Sequence, residues 1–317
     1  MWLFLLELLL TLFFTKALSV AKTTATTTTT TMKEDSAVFR NHKLHKVNGM
    51  TCQERSVTVP TVGEIRFLET TEEVREKLDE MALACILKLK DDNVSNERQR
   101  QLLKNGDVHG TILWPSSSAV ANYLLGDDDD DDSNNSADWS QTRIVELGAG
   151  NGFLSIAAAL AGARQVTATD FEPLPLRMAE YAAQQFHQIN IETQLLDICD
   201  YQNTPLPIAN SDSDNDNNED VIVVASDVNY EPDTGVALAY RTAEALTKGC
   251  RVVIGDSPER PGRPYFWNTL KKLGITNTTQ EEELPVIHQS KGVTLEFGEE
   301  IELPVTIIDL QPMEKKQ

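Results

Sequence analysis

From residue 142 onward, short apolar runs alternate with longer stretches in which apolar residues recur every three or four positions. The runs Arg143–Glu146, Gln165–Thr169, Glu192–Leu196, Val221–Ser226 and Cys250–Gly255 each end in a polar turn, as expected of strands buried on both faces of a parallel sheet. Between them, Leu154–Leu160, Leu174–Phe186, Thr234–Thr247 and Tyr265–Leu273 read as helices, with Gly249 and Gly274 closing the last two. Val293–Phe297 and Leu303–Leu310 follow without an intervening helix, which predicts a C-terminal antiparallel hairpin. The pattern is that of an α/β fold: a Rossmann-like, doubly wound, mostly parallel seven-stranded sheet.

Upstream the periodicity is weaker. Residues 57–125 read as an N-terminal extension: alternation of Val57, Val59, Val62, Ile65 and Phe67 predicts a strand or hairpin, and Thr71 opens a helix to about Lys90. Val74, Leu78, Met81, Ala82, Cys85, Ile86 and Leu89 give that helix one apolar face, which reads as packing. Residues 32–56 lack periodicity and are expected to form a linker. Residues 126–140 are expected to be a disordered acidic insertion, and 141–317 the core, with an acidic loop at 210–220.

The first 31 residues pull in another direction. Trp2–Val20 is apolar apart from polar breaks that include Glu7 and Lys16, and small residues and a Thr-rich tract follow. That order suits a signal peptide or anchor, giving residues 2–20 a route to membrane association, but no Lys or Arg precedes the run; Met32 as the initiator is the alternative. Cys52, Cys85, Cys199 and Cys250 have no paired spacing and read as thiols, which favours a reducing, cytoplasmic or organellar compartment. Delivery to the secretory lumen would instead expose three glycan acceptor sites, at Asn93, Asn134 and Asn277.

The formal charge of −21 is concentrated: residues 126–140 and 211–220 hold twelve acids, and without them the balance is −9. So acidic a surface repels phosphate backbones, which argues against nucleic acid as a partner. Asp212, Asp214, Asp216 and Asn218 begin like a calcium loop, but Asn217 and Val223 stand where Gly and a bidentate Glu are needed, so no metal is expected.

The chemistry concentrates in Ile144-Val145-Glu146-Leu147-Gly148-Ala149-Gly150-Asn151-Gly152. Gly148, Gly150 and Gly152 allow a sharp turn and close approach to a ligand at a helix N-terminus. Such spacing also fits a dinucleotide site, but Glu146 at the strand end would repel a pyrophosphate while suiting the amino end of S-adenosylmethionine. Asp170, ending the next strand, can accept the hydroxyl protons of a ribose, as in nicotinamide and methyl-donor sites alike. Asp197 ends the third strand, where it can accept from an adenine amino group with Ile198 against the ring; capping a turn is its other reading.

Residues 106–310 resemble the seven-stranded S-adenosylmethionine-dependent methyltransferases, in particular the family 16, nicotinamide N-methyltransferase-like branch that includes many protein-lysine methyltransferases. Three blocks carry the resemblance: Gly110-Thr111-Ile112-Leu113-Trp114-Pro115, Glu146 to Gly152, and Asp227-Val228-Asn229-Tyr230. The last matches the family's Asp-x-x-Tyr motif. By resemblance Trp114 lines the cofactor pocket, although packing alone would also explain it. Asp227 at the sheet edge would align an amine by its hydrogens, and Tyr230 would wall the channel; their other reading is a cap and a packed ring. Gly255 to Pro264 is similar to, but longer than, a loop in the branch that modifies a mitochondrial electron-carrier protein. The resemblance implies an N-methyltransferase using S-adenosyl-L-methionine, on protein lysine or on a small nicotinamide-like amine. A monomer is expected. A non-catalytic adaptor on the same fold is the remaining alternative.

Overall fold

The computed structural model describes residues 43–80, 109–126, 139–208, 220–275, 286–296 and 299–312. The N-terminal apolar run, the Thr-rich tract, most of both acidic segments, Cys85 and the three glycan acceptor sites lie outside these residues.

The core sheet is built from β4 (Thr142–Leu147), β5 (Gln165–Asp170), β6 (Glu192–Leu195), β7 (Asp220–Ser226), β8 (Arg251–Asp256), β9 (Val286–Glu296) and β10 (Glu299–Leu310), in the order β6-β5-β4-β7-β8-β10-β9. The first five run parallel, and β10 pairs antiparallel with both β8 and β9. The helices are α1 (Pro115–Leu125), α2 (Phe153–Leu160), α3 (Pro173–Ala182), α4 (Pro232–Thr247) and α5 (Arg263–Lys272). The doubly wound fold read from the chain pattern is thus the one found. Its terminal strands are longer than the apolar runs suggested, because ladder pairing continues through polar residues.

Alternate strand residues point to opposite faces and make two apolar layers. Ile144, Ile222, Val224, Val253 and Ile307 pack with α1, α2 and the end of α3. Val145, Leu147, Val223, Val252 and Ile254 pack with α4 and α5.

The N-terminal extension corrects the linker assignment. Residues 44–56 belong to an antiparallel three-stranded sheet of β1 (Leu44–Val47), β2 (Met50–Val59) and β3 (Gly63–Thr70). The turn after β1 is Asn48-Gly49, both residues at positive φ (48° and 80°), a pairing that suits a two-residue hairpin. Polar cross-strand contacts replace apolar alternation: Glu54 accepts from Arg66 at 2.8 Å and contacts His45 at 3.0 Å, and Arg55 donates to Glu69 at 3.3 Å. The buried face of β2 and β3 joins the first apolar layer, where Phe67 meets Phe153 edge-on at 5.4 Å. Residues 72–80 are helical; the remainder of the helix expected to Lys90 lies outside the described residues.

Candidate active site

In an open doubly wound sheet, ligands bind outside the carboxyl ends of the strands where the winding direction reverses. Here that point lies between β4 and β7. The ends of β4 and β5 and the turns after β4, β6 and β7 carry the residues singled out from the sequence, apart from Trp114 at the start of α1.

Glu146, next to last in β4, is 1% exposed. It accepts a hydrogen bond from the hydroxyl of Ser155 on α2. Burial drives its pKa up to about 8; the Ser155 hydroxyl and N–H oppose the rise and the charge of Asp170 adds to it. Among the described residues, no cation figures in these influences. A ligand carrying an ammonium group would supply the counter-charge that the protein withholds.

Gly148, Gly150 and Gly152 all adopt positive φ, at 67°, 54° and 78°. The last two are required by close approach as well as by conformation. A Cβ on Gly150 would stand 3.0 Å from the carbonyl oxygen of Gly110, and one on Gly152 would stand 2.3 Å from the Cβ of Ala179 on α3. Gly152 therefore lets α3 lie against the start of α2, while Gly150 lets the loop touch the segment before α1. Asp170 ties this loop to β5: Oδ2 accepts the N–H of Gly150 and Oδ1 that of Glu172, both at 2.9 Å.

Asp197, just beyond β6, accepts the N–H of Cys199 at 3.0 Å, forming a turn. Ile198 is 9% exposed and belongs to the second apolar layer. The fully buried Arg241 on α4 donates to the carbonyls of Ile198 and Asp197, both at 3.2 Å, and also to that of Thr204. This arginine was not picked out from the sequence; nothing in a helical pattern marks one Arg as an internal brace.

Asp227 follows β7 with φ of 56°, in the left-handed region. Its Oδ1 accepts the N–H of Ser257 at 2.8 Å and the Nε of Arg260 at 2.7 Å, and its Oδ2 accepts the Ser257 hydroxyl at 2.8 Å. Next to it, Val228 reaches the glycine loop: a Cβ on Gly148 would lie 3.0 Å from Val228 Cγ2. Asn229 is buried and donates to Asp256 at 2.9 Å, whereas Tyr230 is 40% exposed. Trp114, at the start of α1, donates its indole N–H to the carbonyl of His109 at 2.8 Å, and the Arg260 guanidinium lies 5.0 Å from its ring centre.

The structure thus brings Glu146, the three glycines and Asp170 together at the ends of β4 and β5. It joins Asp227 to Trp114 through Arg260 on the β7 side, and places Asp197 and Ile198 beyond β6. Ser257 and Arg260 were given no role from the sequence, although their loop, Gly255 to Pro264, was marked there by its likeness to a family loop.

Residues 98–271 match the family described as lysine methyltransferase, and the chain belongs to that family. The electron transfer flavoprotein beta subunit lysine methyltransferase of Homo sapiens is 29% identical over 167 residues, covering 52% of this chain and 53% of that protein. The protein of the same description from Xenopus laevis is 24% identical over 191 residues, covering 57% of this chain and 67% of its own. The chain spans about half the length of the human relative it matches. Among solved structures, magnesium protoporphyrin IX methyltransferase from Synechocystis PCC 6803 with bound SAM aligns with a TM-score of 0.39 at 16% identity, over 76% of this chain and 96% of the other. At that score it adds nothing to the topology described above.

Proposed function

We propose that the protein is an S-adenosylmethionine-dependent N-methyltransferase that modifies lysine side chains of a protein substrate. The observation that carries this reading is a buried carboxyl, Glu146, beside a positive-φ glycine loop and Asp170, in a chain of the lysine methyltransferase family. Glu146 would take the amino end of the cofactor, Asp170 the ribose hydroxyls, and Asp197 with Ile198 the adenine. Trp114 would border the same pocket.

Held by Glu146, Asp170 and the glycine loop, the cofactor would supply an electrophilic methyl on a sulfonium, transferable to an amine lone pair with the sulfur keeping the electron pair of the broken C–S bond. The protein's part is alignment, which contributes much of the rate in such a transfer. Asp227 is rigidly held by Ser257 and Arg260 and would orient an amine through its N–H groups. Tyr230, exposed beside it, would flank the incoming side chain.

The relatives' description makes the electron transfer flavoprotein beta subunit the first acceptor to test. Enzyme and methyl-labelled cofactor would be incubated with that protein and, separately, with cell lysate, before protein is separated from small solutes. Label on lysine in the protein fraction is expected. Label confined to small amines, or transfer to neither fraction, would overturn the reading.

A further inference from the structure

Asp227 and Asp256 sit at the ends of neighbouring strands, and each is matched by an arginine from the segment that follows β8. Nε and Nη2 of Arg260 both lie 2.7 Å from Asp227 Oδ1, with the two side chains 15% and 2% exposed. Arg263 Nε lies 3.0 Å from Asp256 Oδ2, with side chains 23% and 0% exposed. In a chain of net charge −21, the edge where an acceptor would dock therefore has Asp227 and Asp256 each paired with an arginine. The arrangement is braced. Arg260 rests over Trp114, and Gly262 donates to the carbonyl of Asn229 at 2.9 Å, so close that a Cβ on Gly262 would stand 2.3 Å from the Glu231 carbonyl oxygen.

A buried carboxylate alone would stabilise an ammonium and raise its pKa. An ammonium has no lone pair and cannot attack a methyl group. A guanidinium at the same carboxylate acts in the opposite sense, favouring loss of the proton to water, while the carboxylate still accepts an N–H. We propose that Arg260 sets the protonation state of the acceptor nitrogen: by cancelling the charge of Asp227, it lets that carboxylate orient an amine without holding it as an ammonium ion. This rests on the methyl-transfer reading above and gives Arg260 a positioning and charge-setting role. Among the described residues, the titratable groups near the pair include Asp256 and Arg263, which offset each other, Tyr230 and Glu231 on the same turn, Glu259 beside Arg260, and His109, whose ring lies 6.0 Å from that of Trp114. Glu146 and Asp170 stand on the cofactor side, at the ends of β4 and β5.

The test uses N-methylbutylamine, labelled with 13C in the methyl group, bound to the full chain in the presence of S-adenosylhomocysteine. Its NMR shift is followed against pH. In the wild type the Asp227–Arg260 pair carries no net charge and burial disfavours the ammonium, so the bound amine should titrate below its free value, by about one to two pH units. Arg260→Gln should return the midpoint to the free value or above it, while Arg260→Lys, which keeps the charge, should retain most of the shift. A role confined to bracing the loop would weaken binding in both variants without separating their midpoints. A wild-type site that does not bind the amine, that titrates it at or above the free value, or that matches Arg260→Gln overturns the proposal. The wild-type titration decides even if Arg260→Gln does not fold. Failure of the methyl-transfer reading would show separately, as absence of label on protein lysine.

Discussion

The hydroxyl of Ser155 on the first turn of α2 is hydrogen-bonded to the carboxyl of Glu146, nine residues earlier on β4. The bond locks the carboxyl into the interior, where burial raises its pKa to about 8.

The first prediction follows from that value. Near pH 7 Glu146 should be mainly protonated before ligand binds, and an ammonium ligand would ionise it, so cofactor binding should release close to one proton. Calorimetry in buffers of different ionisation enthalpy reads this directly, and affinity should rise with pH up to about 8. The stability sign is the reverse. A carboxyl whose folded pKa is raised stabilises below its unfolded value and loses that contribution as pH climbs through the folded one. Glu146→Gln should therefore flatten the fall in melting temperature between about pH 5 and 8 and abolish the proton release. Proton release unchanged by the substitution would remove Glu146 from the site.

Gly152→Ala should destabilise the fold by about 2–4 kcal/mol, from left-handed strain together with overpacking. The added methyl would meet Ala179 at 2.3 Å, where α3 crosses the start of α2. Urea unfolding measures the loss; a variant as stable as the wild type would show that the two helices can separate without cost.

How much of this was legible in the chain depends on range. The strands of the core declared themselves because each is an apolar run buried on both faces, and Gly148 to Gly152 because a tight turn admits few other residues. The extension before residue 57 did not, since β1 and β2 hold together through Glu54, Arg66 and His45, partners that only strand pairing brings into register. The same holds for the site. Glu146, Asp170 and Asp227 are marked by position at strand ends, whereas Ser155, Arg241 and Arg260 take their roles from contacts across elements.

Asp227→Asn should lower methyl transfer by about a hundredfold or more while sparing cofactor affinity, the penalty expected when a nucleophile loses its alignment. Asn tolerates the left-handed backbone at this position, so its melting temperature should stay nearer the wild type than that of Asp227→Ala. The alanine variant also strands Arg260 and Ser257, which Asp227 holds at 2.7 and 2.8 Å. Single-turnover rates and thermal scans separate the two effects. Full activity in either variant would exclude Asp227 from alignment.

Arg241 offers a test beside Asp197 and Ile198, at the adenine end of the proposed site. Its guanidinium is fully buried on α4, donates to three carbonyls between Asp197 and Thr204, and pairs with Glu244 at 3.2 Å. Glu244 in turn accepts the N–H of Leu206 at 3.0 Å, so the pair staples the whole turn after β6 to α4. Arg241→Met keeps much of the volume but leaves those carbonyls without their donor, a cost of about 1–3 kcal/mol for each buried acceptor left unpaired. Because the turn carries Asp197 and Ile198, affinity for S-adenosylhomocysteine should fall about tenfold or more, equivalent to roughly 1.4 kcal/mol. Proton release on binding should persist, since Glu146 lies on a different strand and keeps its contact with Ser155. A folded Arg241→Met variant that binds as tightly as the wild type would show that the turn after β6 takes no part in holding the adenine end.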